Sequence, residues 1–179
     1  MAKTPLIITT DRLVLRPLGM VDLQSIYEYS LDKENTKYMM ELSTQKHEIE
    51  EFLIATEADW ESDNPLYYEF AVTLDSKHIG TISLYLSDDR QECDLGWIIV
   101  RNYQNKGYAT EASKAVLDFA VTQLKVKKVI AYCDSRNLPS RKVMEKLGLS
   151  LERSDLMRRN RDSDEDTPGC MYSLVVNDK

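Results

Sequence analysis

Apolar and polar positions follow two rhythms along this chain, and the changes from one to the other mark its elements. Residues 7–18 alternate after Thr10, with Leu13, Leu15 and Pro17 set against Arg12, Val14 and Arg16, and read as a first strand ending at Pro17. Helical spacing takes over after Asp22, at Leu23, Ile26, Tyr27 and Leu31, and residues 32–37 form a polar connection. A second helix is predicted over residues 45–61, where Ile49, Phe52, Leu53 and Trp60 make one broad apolar face and Asn64 with Pro65 closes it. Residues 68–74 and 78–86 then read as an antiparallel pair joined by Asp75, Ser76 and Lys77, and a polar turn at 87–90 leads into a strand over 92–100.

At this point the rhythm changes abruptly. Leu95, Gly96, Trp97, Ile98, Ile99 and Val100 are a short, β-branched run suited to a buried strand, whereas Tyr108, Ala112, Ala115, Val116, Phe119 and Leu124 recur at helical spacing. Residues 128–134 form a further strand, Asn137 caps a helix with Pro139 in its permitted first turn, and Gly148 stops it. Residues 149–158 and 169–176 are the last two strands, separated by the charged segment 159–168. Antiparallel strands followed by one strand–helix–strand crossover predict a mixed α/β domain over residues 1–179.

Composition narrows the picture. The chain has 179 residues, 42% hydrophobic and 30% charged, with no apolar run long enough to span a bilayer and no signal-like stretch at Met1 to Pro5, so a cytoplasmic protein is expected. A net charge of −7 argues against broad binding to nucleic acid or anionic membranes and suits a cationic partner. Cys93, Cys133 and Cys170 are odd in number and widely spaced, pointing to reduced thiols rather than a disulfide framework or a zinc site. His47 and Glu48 begin a zinc-protease-like pattern, but Glu51 stands where its second histidine belongs, and no metal is expected.

The candidate chemistry centres on Gln104, Asn105, Lys106, Gly107, Tyr108 and Ala109, between the strand and the long helix. A helix start aims unpaired backbone N–H groups outward, Gly107 permits close approach of a ligand, and Gln104 and Lys106 add side-chain donors: together, an anion site suited to a diphosphate. The same residues are also explained by a tight turn with a solvated lysine. Neither a Walker loop nor a dinucleotide-binding glycine fingerprint fits, since Lys106 precedes the one glycine present. On the entering strand Glu92 and Asp94 share a face, and one of them can take a proton through water, or both can be ordinary strand charges facing solvent.

The Gln-x-x-Gly-x-Ala pattern at 104–109, its continuation through Thr110, Glu111 and Ala112, and the later run from Asn137 through Leu138, Pro139, Ser140 and Arg141 to Glu145, Lys146, Leu147 and Gly148 closely resemble two signatures of the GNAT N-acetyltransferase superfamily. Residues 10–18 are similar to the opening strand of its RimJ/RimL branch, which acetylates protein N-termini. The resemblance implies a mostly antiparallel sheet with a splayed parallel strand pair, here 92–100 and 128–134, flanked by helices, with the coenzyme's pantetheine arm in the gap. It implies acetyl-coenzyme A as co-substrate, a primary amine as acceptor, and direct attack in a ternary complex without a covalent acetyl-enzyme. The acceptor is expected to be a protein or peptide N-terminus; a small amine such as a polyamine, amino sugar or antibiotic, or a coenzyme-binding module without catalysis, are the alternatives, in a monomer or homodimer.

By the same resemblance the thioester carbonyl meets a backbone N–H near Ile98, Ile99 or Val100, Asn137 touches the pantetheine arm while also capping its helix, and Ser140 hydrogen-bonds the coenzyme sulfur. Ser140 also fits as an ordinary third helical residue bonding the backbone. One departure stands out. Many relatives carry a tyrosine as general acid where this chain has Met144, which has no proton to donate, leaving Tyr108 and Tyr132 as replacements. Trp60, Tyr67, Tyr68 and Phe70 are expected to pack as core or edge aromatics.

Overall fold

A computed structural model describes residues 5–176. Its centre is one eight-stranded sheet, in spatial order β1 (Ile8–Thr9), β2 (Val14–Pro17), β3 (Tyr67–Leu74), β4 (Lys77–Leu86), β5 (Glu92–Ile99), β6 (Lys128–Asp134), β8 (Thr167–Val175) and β7 (Ser150–Arg158). Every pairing is antiparallel except β5 with β6. The helices are α1 (Leu23–Ser30), α2 (Lys33–Thr36), α3 (Lys46–Glu61), α4 (Tyr108–Thr122) and α5 (Leu138–Lys146). This is the mixed α/β architecture read from the sequence.

Period-two alternation divides the sheet between two packing layers. Phe70, Val72, Ile82, Leu84 and Leu95 share a core with Ala112, Val116 and Ala120 of α4 and with Met144 and Leu147 in and after α5. Ala71 and Leu18 instead pack with Ile26 and Tyr29 of α1 and Ile49 and Leu53 of α3. Small side chains on α4 let it lie close to the sheet. Trp60 and Phe119 each meet Tyr68 and Phe70 edge to face with ring centroids 5.1–6.0 Å apart, while Tyr68 and Phe70 stack.

Three expectations need correction. Residues 7–18 are two short strands rather than one, because Thr10 makes a turn in which its N–H donates to the Leu13 carbonyl and its hydroxyl accepts from the Leu13 N–H. The polar connection over 32–37 contains α2, whose start is fixed by the Asp32 carboxylate accepting from the Glu34 and Asn35 amides. Phe52 leaves the expected apolar face of α3 and stands exposed; Thr56 is buried there with Ile49 and Leu53.

Backbone geometry sets the remaining turns. Asp75 and Ser76 both adopt positive φ, the form a two-residue hairpin needs, and Gly148 at φ +86° ends α5. At Gly80 a Cβ would come within 2.3 Å of the Ile98 carbonyl oxygen, so β4 and β5 approach there only because no side chain intervenes.

Candidate functional site

The parallel pair β5 and β6 is joined at only three register positions, Glu92 with Lys128, Cys93 with Val129 and Asp94 with Ile130. Beyond Asp94 the two strands part, and a cleft of about 1490 Å³ opens between them, lined by β5 from Asp94 to Ile99 and by Tyr132 and Cys133 of β6. That exceeds the roughly 300–1,000 Å³ of an ordinary small-molecule pocket, leaving room for two reactants. Ser83, Asp94 and Ile98 line it on the α1/α3 side and Gly107, Ala109 and Ser140 on the α4/α5 side, so it runs through the sheet.

Backbone direction along β5 decides which groups face this gap. The Val100 N–H donates to the Ile79 carbonyl on the β4 side, so by alternation the Ile99 amide points away from β4, toward the opening. Of Ile98, Ile99 and Val100, Ile99 is therefore the one whose N–H is directed into the gap.

At the start of α4, Gly107 has φ +83° and Asn105 φ +60°, and the first helical bond runs from the Glu111 N–H to the Gly107 carbonyl. The amides of Tyr108, Ala109 and Thr110 precede it and form an N-terminal donor set at the cleft. This turn is braced from the first hairpin. Arg12 pairs with Glu111 at 2.6 Å, donates to the Lys106 carbonyl at 3.0 Å and lies over the Tyr108 ring, while the Thr10 hydroxyl donates to Glu111 at 2.6 Å.

The two side chains expected to serve as extra donors are turned to protein partners. Gln104 donates to the Ile99 carbonyl and to Asn35, and Lys106 donates to the Asn102 carbonyl beside the Tyr103 ring and does not line the cleft. Gln104, Asn105, Gly107, Tyr108 and Ala109 do line it.

Across the gap the Asn137 side chain accepts from the Ser140 N–H, making Asn137 the cap of α5. Both line the cleft, and the Ser140 hydroxyl has no protein partner among the described residues. Met144 is 1% exposed, inside the core, so its side chain is packing. Tyr132 lines the cleft, half exposed, and burial followed by the charges of Asp94 and Glu92 raises its pKa. Cys133 and Cys170, distant in sequence, face each other across β6 and β8 with sulfurs 3.4 Å apart, and burial pushes the Cys133 thiol up to about 12.

The carboxylates separate. Asp94 lines the cleft and burial pushes its pKa up to about 6, while Glu92, on the same strand face, is exposed and outside it. A third carboxylate, missed by the sequence reading, is Glu69 on β3. It is 4% exposed, lines the cleft, and accepts from Ser83 at 2.7 Å and from the Tyr85 hydroxyl; burial lifts its pKa to about 7 against those two bonds. A signal existed: Glu69, Ser83 and Tyr85 share one face of the predicted hairpin, where a charge directly precedes the apolar run from Phe70 to Val72.

The mouth is closed on one side by a clasp. Arg161 donates to the Leu42 and Ser30 carbonyls and to Thr36, and Arg158 to the Tyr38 carbonyl, tying the end of β7 and the segment after it to the end of α1 and to residues 36–42, of which 37–42 line the cleft.

Residues 12–150 match the acetyltransferase (GNAT) domain family. The uncharacterized N-acetyltransferase YnaD of Bacillus subtilis is 33% identical over 145 residues, 81% of this chain and 83% of that protein. Spermidine N(1)-acetyltransferase of Escherichia coli K12 is 26% identical over 140 residues, 77% of this chain and 73% of that one. Among solved structures, the RimL ribosomal L7/L12 α-N-protein acetyltransferase in complex with coenzyme A superposes with a TM-score of 0.83 over 96% of this chain and 98% of that one; at 13% identity this is a likeness of fold.

Proposed function

Because the chain belongs to the GNAT acetyltransferase family, we propose that it transfers an acetyl group from acetyl-coenzyme A to the α-amino group of a protein or peptide N-terminus, in a ternary complex and in the manner of the RimJ/RimL branch. The observation that carries the reading is the parting of β5 and β6 beyond Asp94, with the first amides of α4 on one side of the sheet and buried carboxylates on the other.

The donor set of Tyr108, Ala109 and Thr110 suits the coenzyme's diphosphate, and the gap suits its extended arm beside Asn137. When bound, the coenzyme supplies an activated acetyl group. In this reading the Ile99 amide, directed into the gap, polarises the carbonyl, and the Ser140 hydroxyl, without a partner among the described residues, hydrogen-bonds the sulfur as it gains charge. Of the two β5 carboxylates Asp94 is the one at the cleft, and there it holds the acceptor's ammonium group.

The preference for an α-amine follows from the carboxylates. An α-amino group has a pKa of about 7.7–8.0, near the values of about 6 and 7 at Asp94 and Glu69, whereas a lysine side chain at about 10.4 must be deprotonated at a further cost of roughly 3–4 kcal/mol. A small polyamine acceptor is the second reading, favoured by the similarity to spermidine N(1)-acetyltransferase.

The test is purified protein with acetyl-coenzyme A and a panel of free-N-terminus peptides, N-terminally blocked lysine peptides and spermidine, read by thiol release and mass spectrometry. Acetyl groups are expected on peptide α-amines. Modification confined to spermidine selects the second reading, and modification confined to lysine side chains overturns the pKa argument.

A further inference from the structure

Glu69 is matched in pKa to an α-amine but has no direct path to it, and Tyr85 stands between the two. Glu69 is almost wholly buried in the sheet at the cleft, and its two oxygens are held separately, Oε2 by Ser83 and Oε1 by the Tyr85 hydroxyl. Tyr85 is 39% exposed, lines the cleft, and sits directly opposite Asp94 in the β4–β5 register. A buried carboxylate exchanges protons with an open site through the groups it is bonded to, and of these two hydroxyls Tyr85 belongs to the side chain that faces Asp94.

We propose that Tyr85 and Glu69 form a proton relay for the acceptor amine: the Tyr85 oxygen takes a proton from the ammonium group as its own hydroxyl proton passes to Glu69 Oε1. The ammonium becomes a neutral amine, the carboxylate becomes a carboxylic acid, and Tyr85 is a phenol before and after. The amine then displaces the thiol of the acetyl donor; the proton lost from nitrogen as the amide forms balances the one the sulfur takes up, and Glu69 returns its proton to solvent before the next turnover. This inference rests on the acetyl-transfer reading. Tyr85 is the residue that touches the acceptor, and Glu69 is the proton store behind it.

The surrounding charges suit that division. Burial and then the charge of Glu69 raise the Tyr85 pKa, with Asp94 adding to it, so tyrosinate does not accumulate and the phenol can only pass a proton on. Burial and the charge of Asp59 on α3 raise Glu69, which faces Ser83 and Tyr85 on β4 and acts in turn on Tyr29 of α1. Asp94, at about 6, is ionised near neutrality and attracts the ammonium group, while Glu69, at about 7, is better matched to receive its proton.

The experiment is the pH dependence of kcat with the best acceptor from a panel of free-N-terminus peptides and spermidine, for wild type, Tyr85→Phe, Glu69→Gln, Ser83→Ala and Asp94→Asn. Melting temperature and coenzyme A affinity by calorimetry are measured for each. Wild type is expected to lose activity below about 7. Glu69→Gln and Tyr85→Phe are expected to lower kcat at neutral pH by roughly a hundredfold, with residual activity following the acceptor's own amine ionisation and coenzyme affinity held within about twofold. Ser83→Ala removes one bond that favours the Glu69 carboxylate but leaves the relay in place, so the acidic limb moves to higher pH with a smaller loss of plateau than in Tyr85→Phe.

Wild-type protein that binds coenzyme A and acetylates no amine overturns the acetyl-transfer reading, and the relay with it. Active wild type with an unchanged limb in both Tyr85→Phe and Glu69→Gln overturns the relay alone, and loss of that limb in Asp94→Asn instead assigns the proton to Asp94. Should Glu69→Gln fail to fold, Tyr85→Phe decides, because it removes one hydroxyl and leaves Glu69 in place.

Discussion

Burying a carboxylate at Glu69 makes stability depend on pH in a direction that can be worked out. Its folded pKa is raised from 4.5 to about 7, so below 4.5 both folded and unfolded chains hold the proton and the folded state bears no penalty. As pH rises toward 7 the unfolded chain ionises first, stability falls, and above 7 the penalty levels at about 3 kcal/mol. Asp94 adds a slope of the same sign that ends near 6, and Asp134, lowered by Arg136, Asn160 and Thr167, acts in the opposite sense, losing its contribution only in acid below the ordinary carboxylate range. Glu69→Gln is therefore expected to flatten the decline in melting temperature between pH 6 and 7 in scanning calorimetry; an undiminished decline there assigns it to another group. Asp94 was legible only together with Glu92, as one of two carboxylates on the strand entering a recognisable loop; the parting of the strands puts Asp94 at the cleft and leaves Glu92 outside it. Glu69 was not singled out, although the predicted hairpin already sets it opposite Ser83, because a lone strand charge carries no local motif and its meaning comes from the two hydroxyls that hold it on the next strand.

At the scale of elements, the turn before α4 is held by geometry that one side chain can disrupt. Gly107 lies at φ +83°, and a Cβ there would stand 3.3 Å from the Arg12 guanidinium that braces the loop. Gly107→Val combines left-handed strain on a β-branched residue, about 1–3 kcal/mol, with intrusion on the donor set of α4. Coenzyme A affinity is expected to fall by a hundredfold or more in calorimetry, with a lower melting temperature; a folded variant of unchanged affinity would mean the diphosphate binds elsewhere. The long elements were legible because each has enough turns or alternations to declare its period: residues 45–61, 92–100 and 128–134 match α3, β5 and β6 to within a residue. The short ones were not. α2 is four residues with no apolar face, made by the Asp32 cap, and the break between β1 and β2 is made by side-chain bonds of Thr10. The Gln104 side chain is spent on holding Asn35 and the Ile99 carbonyl, a use fixed by tertiary contacts that no local pattern encodes.

For the whole molecule, the decisive feature is how little joins the two parts of the sheet. β1 to β5 on one side and β6, β8 and β7 on the other meet at three parallel register positions, supplemented by α4, which packs on β4 and β5 before the chain crosses to β6, and by the bonds of Arg158 and Arg161 to residues 30–42. A ligand seated in the gap touches both parts at once, so its binding energy couples them as the missing strand pairing would. Coenzyme A at a hundredfold excess over its dissociation constant adds about 2.7 kcal/mol, and for a chain of 179 residues each kcal/mol raises the melting temperature by about 2–4 °C, giving an expected rise of about 5–10 °C. Hydrogen exchange distinguishes this coupling from binding at the helix start alone. Slowed exchange is expected at the Ile99 amide and in β6 near Tyr132 and Cys133 as well as at Tyr108, Ala109 and Thr110, because both walls of the gap lose their access to water together. Protection confined to residues 104–110 would place the ligand on the α4 loop and leave the gap open, which overturns the assignment of the strand divergence as its seat.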